Sequence, residues 1–173
     1  MDLCLNQQHL AALHGLEECL ARWSTMQSST VTYIQNVQHD LKSSRVPVEA
    51  MGCLDPSLRR DIQAAYLESA EKLLRSLRGA LDTFDKIVDS LRVLEGQLPK
   101  NSPDLYVSTL GGWIRDVKRM FASEVALKRQ ILYFLGTGLD DRAVDLQVSR
   151  WLSEPMINPD LLDFINSRTV HKQ

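Results

Sequence analysis

A long stripe of apolar side chains between Tyr66 and Leu98 constrains this sequence more than any other feature. Its members alternate spacings of three and four residues, which keeps them on one side of an α-helix. They are Tyr66, Ala70, Leu73, Leu77, Ala80, Phe84, Ile87, Leu91, Leu94 and Leu98. The predicted helix would span about 60 Å. Its apolar face therefore needs other long helices to cover it, from this chain or from another. We call this face the α2 seam, after the second helix in chain order (α2), which is predicted over 55–98.

The remaining pattern also predicts helices. A first long helix is expected over 6–42, and Gln27 and Thr30 are polar positions on its apolar side. Such positions either fix the register and choice of a partner or are simply tolerated. Asp55 followed by Pro56 is a typical N-cap and first helical residue, so the central helix is expected over 55–98.

The C-terminal region, 112–173, is predicted to hold a third long helix and two short ones. Gly111 and Gly112 weaken helix formation, so the third helix is expected to begin near Gly112 and to end at about Leu135. Asp140 or Asp141 is expected to cap a fourth helix, and Pro159 lies at the start of a fifth. We therefore predict an all-α single unit over 1–173, an elongated antiparallel helical bundle or coiled coil.

Composition argues against several classes of function, although the charge balance does not exclude a local patch. The formal net charge is -2, whereas general nucleic-acid binders carry a clear basic excess. The three cysteines, Cys4, Cys19 and Cys53, are odd in number and show no CxxC spacing, which favours free thiols in a reducing compartment. The sequence shows no signal peptide and no membrane-spanning run. A soluble intracellular protein without a membrane partner is expected.

No catalytic, cofactor or metal site is predicted. His9 and His14 lie five residues apart on one predicted helix, and Cys4 and Cys19 are not at the spacing of metal ligands. There is no GxSxG nucleophile motif, and Gly136–Gly138 lacks the Lys-Ser/Thr pair of a phosphate loop. The sequence therefore gives no reason to expect an enzyme.

Two basic clusters are possible phosphate contacts. They are Arg115, Lys118 and Arg119 on the third helix, and Lys72, Arg75 and Arg78 on the second. Asp116, Glu68 and Glu71 dilute both clusters, so a charged outer face is the favoured interpretation. Direct nucleic-acid binding is not expected.

Glu124 is predicted to lie on the inner side of the third helix. Lys128 follows four residues later, the favourable order for a helical ion pair. A charged group at such a place costs free energy unless it is paired. Glu124 is therefore either a specificity contact to a partner or a rim position.

The stretch SEVALKRQILYFLGTGLDDRAVDLQVSRWLSEPMI, residues 123–157, carries a family resemblance. The residues that carry it are Glu124, Leu127, Lys128, Arg129, Asp140, Asp141, Trp151, Leu152 and Pro155. They resemble the C-terminal region of the cyclin-dependent kinase 2-interacting protein family, with Glu154 and Met156 standing where that family has a glutamine and an aromatic residue. The rest of the chain is similar to the family more weakly.

The resemblance implies a non-enzymatic adaptor or scaffold in a hetero-oligomer. The implied partners are a second helical subunit, a hexameric AAA+ ATPase and, in DNA replication and the DNA damage checkpoint, a cyclin-dependent kinase. The implied work is maturation of the large ribosomal subunit and clearance of replisome proteins. A nuclear location follows, with a cytoplasmic one also open. The helical ribosome-maturation partner of that family has a similar layout and is an alternative identity.

The adaptor hypothesis assigns an interface. Five residues of the α2 seam would pair with the second subunit, and residues of the C-terminal region would set the docking surface. The seam residues are Leu73, Leu77, Phe84, Ile87 and Leu91; the others are Trp113, Glu124, Lys128, Arg129, Trp151, Leu152 and Pro155. In a second hypothesis the chain is a homodimeric coiled-coil structural protein of the mitotic or cytoskeletal machinery.

Overall fold

The computed structural model describes residues 2–47, 52, 55–99 and 102–169. Across these ranges the chain forms five α-helices and no strand, which confirms the predicted all-α class. The helices are α1 (Asp2–Ser43), α2 (Pro56–Gln97), α3 (Leu105–Leu135), α4 (Asp141–Ser153) and α5 (Pro159–Thr169). Cys53 and the side chain of Cys4 lie outside what the structure describes.

Local capping signals set several helix ends where the sequence predicts them. The Asp55 carboxylate accepts a hydrogen bond from the Ser57 N–H at 2.8 Å, and Pro56 is the first residue of α2. Asp140 caps α4 by accepting from the Ala143 N–H at 2.7 Å. Each cap satisfies a backbone donor that the helix cannot satisfy itself.

The predicted start of α3 near Gly112 is wrong. The helix begins at Leu105, about two turns earlier. Asp104 caps it by accepting from the Tyr106 N–H at 2.8 Å, and Val107 and Leu110 are buried at 1% and 0% exposure. Burying two such side chains gains about 3–6 kcal/mol, which exceeds the cost of about 1 kcal/mol for each glycine.

The chain folds into two compact units. Unit 1 contains Met1–Met26, Asp82–Ala126 and Pro155–Gln173; unit 2 contains Gln27–Leu81 and Leu127–Glu154. Each unit therefore draws on segments of α1, α2 and α3, together with α5 in unit 1 and α4 in unit 2.

The core of unit 1 is built around Trp23 of α1. Its ring stacks on Phe121 at 3.8 Å between centroids and meets Phe84 edge-on at 4.6 Å. A Cβ added at Gly15 would lie 2.8 Å from Leu94 Cδ2, so α1 and α2 approach closely there. The pairs Gly15–Leu94 and Trp23–Phe84 run in opposite chain directions, as expected for antiparallel helices.

The core of unit 2 forms where α4 lies antiparallel to the second half of α1. Near the start of α4, the Asp145 carboxylate lies 2.5 Å from Lys42 Nζ and accepts from Gln38 Nε2. Near its end, Trp151 contacts Gln27 and Thr30. Between these points Ile34, Val37 and Val144 are fully buried.

Candidate protein-interaction site

The middle of the α2 seam is buried by the chain's own helices. Leu77 in unit 2, and Phe84, Ile87 and Leu91 in unit 1, are all 0% exposed. The prediction that these four residues pair with a second subunit is therefore corrected, because none of them is available to a partner. Leu73, the fifth, is half-buried. Heptad spacing shows that a helix face must be covered, but it does not show which chain covers it.

Trp151 and Lys128 form the polar centre of unit 2. The Trp151 ring is 0% exposed, and its indole Nε1 donates to Thr30 Oγ1 at 3.1 Å. Lys128 Nζ, also fully buried, lies 4.9 Å from the centroid of that ring and 3.6 Å from Glu154 Oε1. A buried ammonium needs such partners, because desolvation costs several kcal/mol. Both residues were predicted to be interface residues, and both are core residues.

The same cluster holds the C-terminal end of α4. The Trp151 carbonyl oxygen accepts from Lys128 Nζ at 3.3 Å and from Gln27 Nε2 at 3.1 Å. Glu154 then ends the helix in the left-handed conformation, with φ of 44°. Gln27 and Thr30, the polar positions on α1, therefore bind a helix end within the chain. The sequence left their role open, and the structure assigns them this one.

Glu124 binds a backbone group near a helix end in unit 1, as Lys128 does in unit 2. It is 0% exposed, and its Oε2 accepts from the Met156 N–H at 3.1 Å. The Asn158 N–H lies 3.3 Å from Met120 Sδ on the same helix. The segment before α5 is thus attached to α3 by its backbone. Glu124 is a buried contact inside the chain rather than a rim position, and its predicted ion pair with Lys128 stays a prediction.

Part of the predicted interface is accessible. Arg129 and Leu152 in unit 2 and Pro155 in unit 1 are exposed, with Leu152 at 38%. Trp113 in unit 1 is half-buried, and its ring meets that of Phe164 edge-on at 5.9 Å. The residues that carry the family resemblance therefore fall into a buried set that builds the fold and an exposed set.

An exposed aromatic pair at the end of α3 was not predicted. Tyr133 is 69% and Phe134 41% exposed, and their rings lie 5.7 Å apart. The apolar spacing of α3 predicts that Phe134 lies on the inner side of the helix. The signal in the sequence for this exposed pair is Tyr133, an aromatic residue that lies outside the apolar side of α3. We call Tyr133 and Phe134 the aromatic pair.

A small cavity of unit 2 adjoins the helix end that follows the aromatic pair. It has a volume of ≈ 220 Å³, and Arg75, Arg78 and Gly136 are among its lining residues. Arg78 Nη2 is 3.7 Å from the position that a Cβ would take on Gly136. A cation is favourable at a helix C-terminus, where the last carbonyl groups carry partial negative charge.

Burial and hydrogen bonding explain the pKa values that are shifted from their usual range. Burial raises the pKa of Cys19, a free and buried cysteine, so its thiol stays protonated. Hydrogen bonds from Lys42 and Gln38 lower the pKa of Asp145.

In the ranges that the structure describes, no group of His, Cys, Asp and Glu side chains could hold a metal ion. None of the five helices there combines the length and apolarity that a bilayer crossing requires.

Neither a protein-family model nor a curated protein sequence matches the chain.

Proposed function

We propose that this chain is a non-enzymatic helical adaptor of the kind that its resemblance to the cyclin-dependent kinase 2-interacting protein family implies. It binds a second helical subunit and connects that subunit to a AAA+ ATPase. Maturation of the large ribosomal subunit, clearance of replisome proteins, contact with a replication or checkpoint kinase and a nuclear location belong to the same proposal.

The aromatic pair carries this proposal. Tyr133 and Phe134 lie inside the stretch that resembles the family, and both rings are exposed. Aromatic and arginine side chains are the usual energetic anchors of protein interfaces. Arg129, one turn before Tyr133 on α3, and Leu152 of α4 are exposed in the same unit. We take Arg129 and the aromatic pair, which lie within two turns of α3, as the docking surface.

The α2 seam no longer supports either hypothesis from the sequence. The adaptor hypothesis uses the seam for its partner, and a homodimeric coiled coil would need such a face for a second copy. Burial of Leu77 and Leu91 removes that argument from both. The adaptor retains the resemblance and the aromatic pair, whereas no observation favours the homodimer.

The test is co-purification with a variant that truncates both rings, Tyr133→Ala with Phe134→Ala. The tagged chain is co-expressed with a second helical subunit and the AAA+ ATPase of that family, and the recovered subunits are quantified. Loss of two anchors of about 1–2 kcal/mol each predicts at least tenfold weaker association. Recovery equal to wild type would remove the aromatic pair from the interface.

The matched control is Leu105→Ala, which truncates a side chain that is 80% exposed in unit 1. We expect it to co-purify as wild type does. Circular dichroism of each variant shows whether its helices are intact. A buried substitution such as Leu77→Asp is unsuitable, because it would unfold the core and lose binding for that reason.

A further inference from the structure

A basic groove in unit 1 is used neither by the core nor by the proposed docking surface. Two adjoining cavities, of ≈ 450 Å³ and ≈ 320 Å³, lie between the last turns of α2 and the first turns of α3. Both are lined by Arg92, Glu95 and Arg115. We call the two cavities together the α2–α3 groove.

The charge of the groove is net positive. Arg92, Arg115, Lys118 and Arg119 line it, and Glu95 is the one carboxylate among its described lining residues. Outside the lining, Asp89 lies 2.8 Å from Arg92 and neutralises part of that charge. Because the whole chain has a formal net charge of -2, this groove is a local concentration of positive charge rather than part of a basic protein.

Glu95 shows how the groove holds a carboxylate. Its Oε1 accepts from Arg115 Nε at 3.2 Å, and its Oε2 accepts from Lys118 Nζ. The Lys118 hydrogen bond is the main cause of a lowered pKa for Glu95. An acidic ligand would use the same two cations, together with Arg92 and Arg119 beside them.

The floor of the groove is apolar. Val88, Leu98 and Val107 are at least nine-tenths buried and lie beneath the charged rim. A Cβ added at Gly96, on the α2 side, would meet no atom within 4 Å. The groove therefore has room for an apolar side chain as well as for acidic groups. A nucleic-acid backbone would use the cations but not this floor.

We propose that the α2–α3 groove binds an acidic peptide segment of a partner protein. Its carboxylates pair with Arg92, Arg115, Lys118 and Arg119. An apolar side chain between them lies on Leu98 and Val107. This proposal does not depend on the aromatic pair, which belongs to unit 2, and it can hold whether or not the chain is an adaptor of an ATPase.

The probe is a short synthetic peptide with glutamates on both sides of a leucine pair, titrated into the full chain by isothermal calorimetry. Three variants act on the groove in different ways. Arg92→Glu with Arg119→Glu reverses two exposed charges, Glu95→Gln removes the resident carboxylate, and Gly96→Leu fills the open space. Gly79→Leu is the matched control for the last, because Gly79 is also an exposed α2 glycine with nothing within 4 Å.

The expected results have opposite signs. Charge reversal at two rim positions should weaken binding about tenfold. Glu95→Gln should tighten it several-fold, because the peptide no longer competes with an internal carboxylate. Gly96→Leu should abolish most of the peptide binding, whereas Gly79→Leu should bind the peptide as wild type does. Binding should also weaken as salt is raised.

Three results would overturn the proposal. They are no binding by the wild-type chain, equal loss in Gly96→Leu and Gly79→Leu, and tighter binding of a single-stranded RNA than of the peptide. The third would identify the groove as a phosphate site. Unfolding curves for each variant separate lost binding from lost folding.

Discussion

Replacing Lys128 tests what a buried ammonium contributes to unit 2. In Lys128→Ala the outer three methylene groups are lost, which costs about 2.4 kcal/mol at ~0.8 kcal/mol each. The contact with the Trp151 ring, 4.9 Å from Nζ, contributes about 1–2 kcal/mol more. Release of the desolvation penalty is largely offset by loss of the Nζ contacts with the Trp151 carbonyl oxygen and with Glu154. We expect a net loss of about 3 kcal/mol, within the usual range for large-to-small core substitutions.

Lys128→Met keeps most of the side-chain volume and removes only the charge. The Trp151 carbonyl oxygen still accepts from Gln27 Nε2 at 3.1 Å, so it is not left without a donor. A buried ion replaced by an apolar side chain of similar size is often tolerated. We expect the free energy of unfolding of Lys128→Met to lie within about 1 kcal/mol of the wild-type value.

The assay is urea unfolding followed by circular dichroism at equal protein concentrations. Thermal melts should agree, with Lys128→Ala lowering Tm by about 6–12 °C, since 1 kcal/mol corresponds to roughly 2–4 °C in a chain of this size. If Lys128→Met costs as much as Lys128→Ala, the ionic contacts rather than the packing hold the cluster, and the reasoning is refuted.

Three further predictions follow from individual contacts. Thr30→Val removes the acceptor of the buried Trp151 Nε1, at 3.1 Å, and should cost about 1–3 kcal/mol of unfolding free energy in urea titrations. As pH falls below about 4.3, the unfolding free energy of Glu95→Gln should decrease less steeply than that of wild type. Hydrogen bonding by Lys118 lowers the pKa of Glu95, so its stabilising contribution is present above that pH and is lost as pH falls through the folded-state pKa. Gly79→Ala, at an exposed helix position, should stabilise the chain by about 0.5–1 kcal/mol in thermal melts.

Each of these predictions has a control. Thr25→Val removes a hydroxyl whose bond to the Ala21 carbonyl oxygen is exposed, so it should change stability far less than Thr30→Val. Parallel pH profiles for wild type and Glu95→Gln would contradict the role given to Lys118. A destabilised Gly79→Ala would mean that its position is less open than the structure indicates.

Helix ends were predictable where one residue decides them. Asp55 and Asp140 are caps that act within three residues, and both lie where the sequence places them. The start of α3 is not predictable in this way, because Gly111 and Gly112 disfavour a helix locally. The burial of Leu110 that outweighs them depends on helices distant in sequence.

The candidate site could be predicted only in part. Trp151 contacts Lys128, 23 residues away, and Thr30, 121 residues away. No spacing rule connects such residues, so the sequence leaves the role of Thr30 open and assigns Trp151 and Lys128 to an interface. The same limit applies to Phe84 and Ile87, whose pattern required a covering surface without identifying it.

The three tryptophans make the chain its own optical reporter. Trp23 is stacked on Phe121, Trp113 meets Phe164 at a half-buried position, and Trp151 lies beneath an ammonium group. Their emission should therefore differ in wavelength and quenching. Phenylalanine replacements, made one at a time, would assign each signal and let loosening of unit 1 be followed separately from that of unit 2 without any attached dye.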